Sequence, residues 1–300
     1  MKRNLILIAF LLAYACKREK IEIPSPPEVK RLIDDGWKAY DDLNFSLAEA
    51  RFDSALFYEV RNVEALVGKG FSLLQQNDYV NSNDYFSLAI TTENAFIYNI
   101  YTKEAHADDE WNYIDSLPFI GGKGYEIVVN APVYILYITS AYRKNPEGIL
   151  DITPYYFKKN RIYIDNKDLD VPSFADTLFI FYVGYDTTAS FNVSQLAQWA
   201  YAGTGFSYLA DEKYSDAISY LGALTFYLKN KEFNFQHYPY FTKEKIEASL
   251  SYSYFNKGLY GNSYDVLKIA NPDFDPDNVL NPFSTDGIKE LLFEIQKLMK

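Results

Sequence analysis

Cysteine is all but missing from this 300-residue chain: it occurs once, at Cys16. A lone thiol has no partner for an intrachain disulfide. Histidine occurs only twice, at His106 and His237. Neither has a second His or Cys at ligand spacing, which argues against a zinc centre. Neither neighbours a nucleophile motif, so no Ser-His-Asp arrangement can be argued. Basic residues are the minority, with 29 Lys and Arg against 40 Asp and Glu, a net charge of −11. An acidic surface repels phosphate backbones and anionic headgroups, so nucleic acid is not expected as a partner. Long apolar runs are lacking too. The longest opens the chain and covers about 12 residues, against the roughly 20 needed to cross a bilayer.

What the chain has in plenty is aromatic side chains, 28 Tyr and 22 Phe among them. With 48% hydrophobic and 23% charged residues it can bury a sizeable core. Tyr joins an apolar ring to a wet hydroxyl and suits half-exposed binding faces. Packing between repeated units would use the same rings.

The chain opens MKRNLILIAFLLAYAC. Lys2 and Arg3 form a basic start, Asn4 to Leu12 an apolar stretch, and Ala13 and Ala15 supply small residues before Cys16. Residues 1–15 therefore read as a secretory signal peptide. Without them, 27 basic residues face 40 acidic ones, a net −13. The segment Leu12-Ala13-Tyr14-Ala15-Cys16 resembles the lipobox of bacterial lipoproteins. The resemblance implies acylation of Cys16 and attachment to a membrane through that lipid. Lys17 stands where an Asp often marks inner-membrane retention, which favours an outer-membrane anchor facing the periplasm. Residues 16–28 continue with Pro24, Pro26 and Pro27 among charges, the composition of a stiff lipidated tether.

Two segments then align without a gap, 36–56 and 70–90. Gly36 matches Gly70, Ala39 Leu73, Phe45 Tyr79, Ala48 Ser82, Phe52 Phe86 and Ala55 Ala89, each at an offset of 34. A third copy holds the same places with Gly205, Tyr208, Tyr214, Ala217, Leu221 and Leu224. A fourth does so with Ser251, Tyr254, Tyr260, Ser263, Leu267 and Ala270. Between them lie about 12 extra residues, around 229–242, read as a long interhelical loop. The period and the placing of small and aromatic residues resemble the tetratricopeptide (TPR) repeat family. That resemblance implies stacked antiparallel helix pairs. Gly36 and Gly70 would allow close approach, and Phe52 and Phe86 would fill the gap between neighbouring pairs. Residues 285–299 carry Ile288, Leu291, Leu292, Ile295 and Leu298 on one face, as expected of a capping helix with Thr285 or Asp286 at its start.

The middle departs from this pattern. Residues 95–117 read as helical, with Phe96, Ile97, Ile100 and Tyr101 apolar. From 118 the runs turn β-branched and aromatic, punctuated by Gly, Pro, Asn and Asp, and five or six strands are expected in 124–184. Lys159-Asn160 reads as a hairpin turn. The expected fold is therefore α+β, mainly α: a TPR-like helical-hairpin array with an inserted antiparallel β module. Its boundaries are 29–117 for the N-terminal helices, 118–190 for the β-rich insertion and 191–300 for the C-terminal helices with their cap. A β-rich domain separating two independent helical domains is the alternative.

Chemical motifs are weak. His106 beside Asp108, Asp109 and Glu110 reads as a solvated acidic turn. Gly121, Gly122 and Gly124 lack the frame of a phosphate loop. Asp273, Asp275 and Asp277 alternate as in calcium loops, but Asn278 replaces the loop glycine and Ser284 the closing Glu. No catalytic residue, metal or cofactor is expected. One pattern points to binding. Trp37, Phe71, Phe206 and Tyr252 each follow a small residue of the repeat, in a place that faces the groove of TPR proteins. Tyr40 and Leu74 lie three residues on, and Trp199 two turns before Phe206. These seven form the expected partner-binding groove for an aromatic or apolar peptide segment of an envelope protein, with Asp41 at its rim. Packing against a neighbouring helix or the β module is the other use of such a stripe. The functional expectation is a non-enzymatic envelope scaffold. A surface lipoprotein that binds glycans or nutrients through β-module aromatics is the alternative.

Overall fold

The computed structural model describes residues 26–107, 110–165, 167, 176–237, 241–274 and 281–300. Cys16 and the signal and tether segments before residue 26 lie outside them. The described residues hold nine helices and two antiparallel sheets, a mixed α+β fold that is mainly helical. The helices are α1 (Pro26–Asp41), α2 (Phe45–Tyr58), α3 (Val63–Gln75), α4 (Tyr79–Thr92), α5 (Gln195–Ala210), α6 (Tyr214–Tyr227), α7 (Lys243–Asn256), α8 (Tyr260–Ala270) and α9 (Thr285–Met299). No helix among the described residues is long and apolar enough to cross a membrane.

Local chemistry explains where the helices begin. Asn44, Asn62, Asp78, Ser194, Thr242 and Ser284 each accept a hydrogen bond from the backbone N–H three residues on, which satisfies an otherwise orphaned donor. The cap of α9 is thus Ser284, not Thr285 or Asp286. The turn inside each hairpin is the same four times. Leu43, Asn77, Glu212 and Gly258 adopt left-handed backbone, with φ of 59°, 63°, 57° and 72°. The next N–H then donates back to the carbonyl of Ala39, Leu73, Tyr208 or Tyr254, at 2.8–3.0 Å. This bond closes the first helix and aims the chain into the second.

The hairpins stack in one register. The Phe52 ring of α2 lies where a side chain on Gly36 of α1 or Gly68 of α3 would be: a Cβ built there would meet the ring at 2.7 and 2.3 Å. Phe86 of α4 does the same between Gly70 of α3 and Gly203 of α5, at 2.6 and 2.2 Å. Gly203 precedes Gly205 by two residues, as Gly68 precedes Gly70. So α5 follows α4 in the stack as α3 follows α2, although the whole β region lies between them in sequence. Ser82 ties the junction, bonding the Gly70 carbonyl at 2.9 Å and the Ser207 hydroxyl at 3.0 Å. Leu221 occupies the equivalent place against Gly205. Leu267 closes the series by clustering with Leu291 and Ile295 of α9.

The β region begins earlier than expected. The described residues of 95–117 are not helical. They contain β1 (Asn99–His106) and β2 (Trp111–Ile114). The remaining strands are β3 (Gly124–Val128), β4 (Val133–Asn145), β5 (Gly148–Asp151), β6 (Tyr156–Lys158), β7 (Arg161–Asp165) and β8 (Thr177–Asp186). One sheet has the order β1-β8-β4-β5 and the other β2-β3-β7-β6, with every pairing antiparallel. Strand β8 is apolar nearly throughout and would be left open on one edge. Pairing over its full length with β1 overrides the weak helical spacing of 96–101. Lys159, with φ 56°, opens the tight turn between β6 and β7.

The module is docked on the second helices of hairpins three and four. Strands β4 and β8 pack on α6, and β6 packs on α8. Tyr134 stacks on Phe226 at 4.4 Å. The Tyr254 hydroxyl donates to the Leu136 carbonyl at 2.5 Å, and the Asn262 amide to the Phe157 carbonyl at 2.6 Å. One hydrophobic core runs from Val29 through the strands to Leu259, and α4 rests directly on α5. The helices on either side of the strands are therefore not independent domains.

The glycine-sized holes make a sharp expectation. Phe86→Ala should cost about 3–5 kcal/mol of unfolding free energy, with Gly203→Leu at least as damaging. Val80→Ala on the same helix, 64% exposed, should stay within about 0.5 kcal/mol. Equal losses for the three in chemical denaturation would contradict the shared register.

Candidate functional site

The first helices of successive hairpins lie side by side, α1 against α3 and α3 against α5. Their shared face carries Trp37, Tyr40, Phe71, Trp199 and Phe206, which the repeat register places one beneath another. A face this apolar is costly to leave in water, and here it is covered. Trp37, Tyr40, Phe71 and Trp199 are each 4% exposed or less. The open groove expected from sequence is filled, and the material that fills it comes from the chain itself.

The filling residues are the described ones, 228–237 and 241–242, of the long connection between α6 and α7, where α2 and α3 are joined by 59–62 alone. They lay rings across the groove. Phe235 enters deepest, at 2% exposure. Its ring lies 4.4 Å from Phe71 in a near-parallel stack, 4.9 Å from Trp199 edge to face, and 6.1 Å from Trp37. His237 lies flat on Trp37, with centroids 3.9 Å apart and planes 2° from parallel. Phe241 packs on Phe206 at 4.2 Å and on Phe71 at 5.7 Å.

Polar contacts fix the register of this segment. The Trp199 indole N–H donates to the Asn234 carbonyl at 2.7 Å, and the Gln195 amide donates to the same oxygen at 3.0 Å. His237 Nδ1 lies 3.2 Å from Asp41 Oδ1, so the acid expected at the rim meets an imidazole of the inserted run. The Trp37 indole donates to Glu64 at 3.1 Å. Where the segment runs into α7, the Lys243 ammonium donates to the Leu228 carbonyl at 2.7 Å. Each ring pair adds about 0.5–1.5 kcal/mol beyond area burial. Both ends of the segment are tethered, so it competes for the face at an effective concentration on the order of millimolar.

Four of the seven expected groove residues, Trp37, Phe71, Trp199 and Phe206, meet the segment's rings. Tyr40 lies beneath, edge-on to Trp37, Phe45 and Phe71. Leu74 is half-buried beside the core. Tyr252 sits further along the array, 6.3 Å from Tyr214. The residues that sequence reasoning passed over are Phe233, Phe235 and His237. Their alternate spacing is the mark of an extended strip with one buried side.

The weaker motifs assemble little. His106 is exposed, with Thr177 at 3.3 Å and Glu104 at 3.7 Å. Asp108, Asp109, Asp275, Asp277 and Asn278 lie outside the described residues, and Asp273 is exposed. Among the described residues no group of three or more His, Cys, Asp or Glu could hold a metal ion. Gly121 and Gly122 form a turn at positive φ before β3. The aromatics of the β module largely stack on one another, Tyr142 on Phe179 at 5.1 Å and Tyr101 on Tyr182 at 5.4 Å.

No protein-family model matches the chain, and no curated protein or solved structure matches it. Geometry is left as the guide to function.

Two of the three tryptophans rest on Phe235. Phe235→Ala should lower stability by about 3–5 kcal/mol and shift native-state tryptophan emission to longer wavelength as water reaches Trp37 and Trp199. Unchanged emission would mean that the segment does not cover the face in solution.

Proposed function

We propose that this chain is a non-enzymatic scaffold of the cell envelope, a TPR-like array that recognises an extended aromatic segment of a partner protein on the face of its first helices. One observation carries the reading: the cage that Trp37, Phe71 and Trp199 build around Phe235. A helical face that holds an extended peptide by alternate rings and by bonds to its backbone is a peptide-recognition surface, whichever chain supplies the peptide. The resident segment indicates what is selected: aromatic, any residue, aromatic, any residue, then a flat side chain able to stack on Trp37 beside Asp41. The four-fold repetition of turn geometry and the recurring wedge support the TPR-like description. A partner segment gains access by exchange with the resident one, so the resident segment sets the threshold of affinity a partner must exceed.

The opening segment supports the second half of the proposal, a lipid on Cys16 that holds the array at the outer membrane facing the periplasm, with the residues before α1, which begins at Pro26 rather than after residue 28, as a spacer. The glycan-binding alternative has less support, because the β-module aromatics largely stack on each other.

Two measurements test these halves. A labelled peptide copying residues 230–243 should bind a Phe235→Ser/Phe241→Ser variant saturably, and the unmodified protein about tenfold more weakly or less. No binding by a variant that keeps its helical circular dichroism would remove the groove from consideration. In cells fed labelled palmitate, Cys16→Ser should lose the label and leave the membrane fraction. Retention of label would refute the anchor.

A further inference from the structure

A second site lies away from the groove, where the β module meets hairpins three and four, and it stands independently of the scaffold reading. A half-open cleft of ≈ 440 Å³ separates β4 and β6 from α6, α7 and α8. That lies within the range of about 300–1,000 Å³ typical of small-molecule sites. Its walls are apolar: Ile135 and Phe157 from the strands, Phe226 and Val266 from the helices.

Two buried side chains lining it each carry an oxygen with no hydrogen-bond partner among the described residues. Thr225 is 4% exposed and Glu247 3% exposed. The Thr225 hydroxyl and Glu247 Oε1 form no hydrogen bond among the described residues. The contrast with nearby chemistry is sharp. Ser72, Thr204, Ser219 and Ser253 each bond the carbonyl one helical turn back, and Thr225 does not. Three neighbouring polar side chains of the cleft are engaged: Tyr254 with the Leu136 carbonyl, Asn262 with the Phe157 backbone, and Asp265 with Tyr156 and Lys158. Buried polar groups are nearly always satisfied, so two orphans facing one cavity mark where a missing partner belongs. Burial pushes the Glu247 carboxyl up to about 7, against the pull of Lys243 and with the help of Glu244. Near neutral pH it therefore offers either a hydroxyl or an anionic acceptor.

The mouth has the opposite character. Lys159 and Lys229 line it, both exposed, and neither ammonium makes an ion pair among the described residues. Two cations that no carboxylate neutralises make the mouth attractive to anions.

We propose that this cleft binds a small amphiphilic anion. Its carboxylate, sulfate or phosphate meets Lys159 and Lys229, its apolar body lies between Phe157 and Phe226, and a hydroxyl or N–H at its inner end meets Thr225 and Glu247. An anionic head, a flat apolar body and one hydrogen-bond donor are together the complement of the cleft.

The dye 8-anilinonaphthalene-1-sulfonate carries all three features, and N-phenyl-1-naphthylamine lacks only the sulfonate. The full chain should bind the sulfonate dye saturably at one site, read by fluorescence. In Lys159→Asn/Lys229→Gln, whose changes are exposed and suit the left-handed turn, the sulfonate dye should weaken about tenfold while the neutral dye changes less than about twofold. Val266→Trp, checked for an intact melting transition, should exclude both. Absence of saturable binding, or equal weakening of both dyes by the lysine changes, would overturn the proposal. So would full binding to a folded Val266→Trp. If Val266→Trp fails to fold, the lysine pair still decides the matter.

Discussion

Phe86 reaches three helices at once, and it can do so because two of them present no side chain where its ring lies. Gly70 and Gly203 leave a slot one ring wide, and the ring fills it to van der Waals contact. Phe52 fills the preceding slot between Gly36 and Gly68. Neither helix pair can cover its own apolar face, so each wedge also fixes where the next pair must sit. The placing of α3 against α1 and of α5 against α3 follows from these contacts, and so does the alignment of Trp37, Phe71 and Phe206 on one face.

That alignment creates a problem which the fold answers internally. A stripe of indole and phenyl rings invites association with anything apolar. From the long connection after α6, Phe235, His237 and Phe241 lie on Trp37, Phe71, Trp199 and Phe206. The face is thereby part of the core, with Phe235 at its centre against Trp37, Phe71 and Trp199. On the opposite side, α6 and α8 carry the β module, whose own apolar faces would otherwise lack a second layer. The cleft left at that junction is lined by both halves and belongs to neither alone.

Much of this was written in local patterns. The offset of 34 announced equivalent positions in the first two hairpins, and the one-sided apolar spacing of 285–299 announced the last helix, although its cap lies one residue earlier, at Ser284. The groove stripe was legible as a set, because a residue following each small position must share its direction. Residues 95–117 misled because Phe96, Ile97, Ile100 and Tyr101 fit a helical face as well as a strand. What settled them was β8, some eighty residues away, whose edge needed a partner. Gly68 and Gly203 went unnoticed because their counterpart across the slot is a ring on another helix.

The order of residues was enough to specify the units: helix hairpins in a common register, strands after residue 118, and an aromatic stripe at fixed places. Which surface covers which was settled in three dimensions. Periodicity records that a face is apolar but carries no information about the distant surface that will shield it. That is why the continuity of α4 with α5, the pairing of β1 with β8 and the burial of Trp37 under His237 emerged only once the chain was folded.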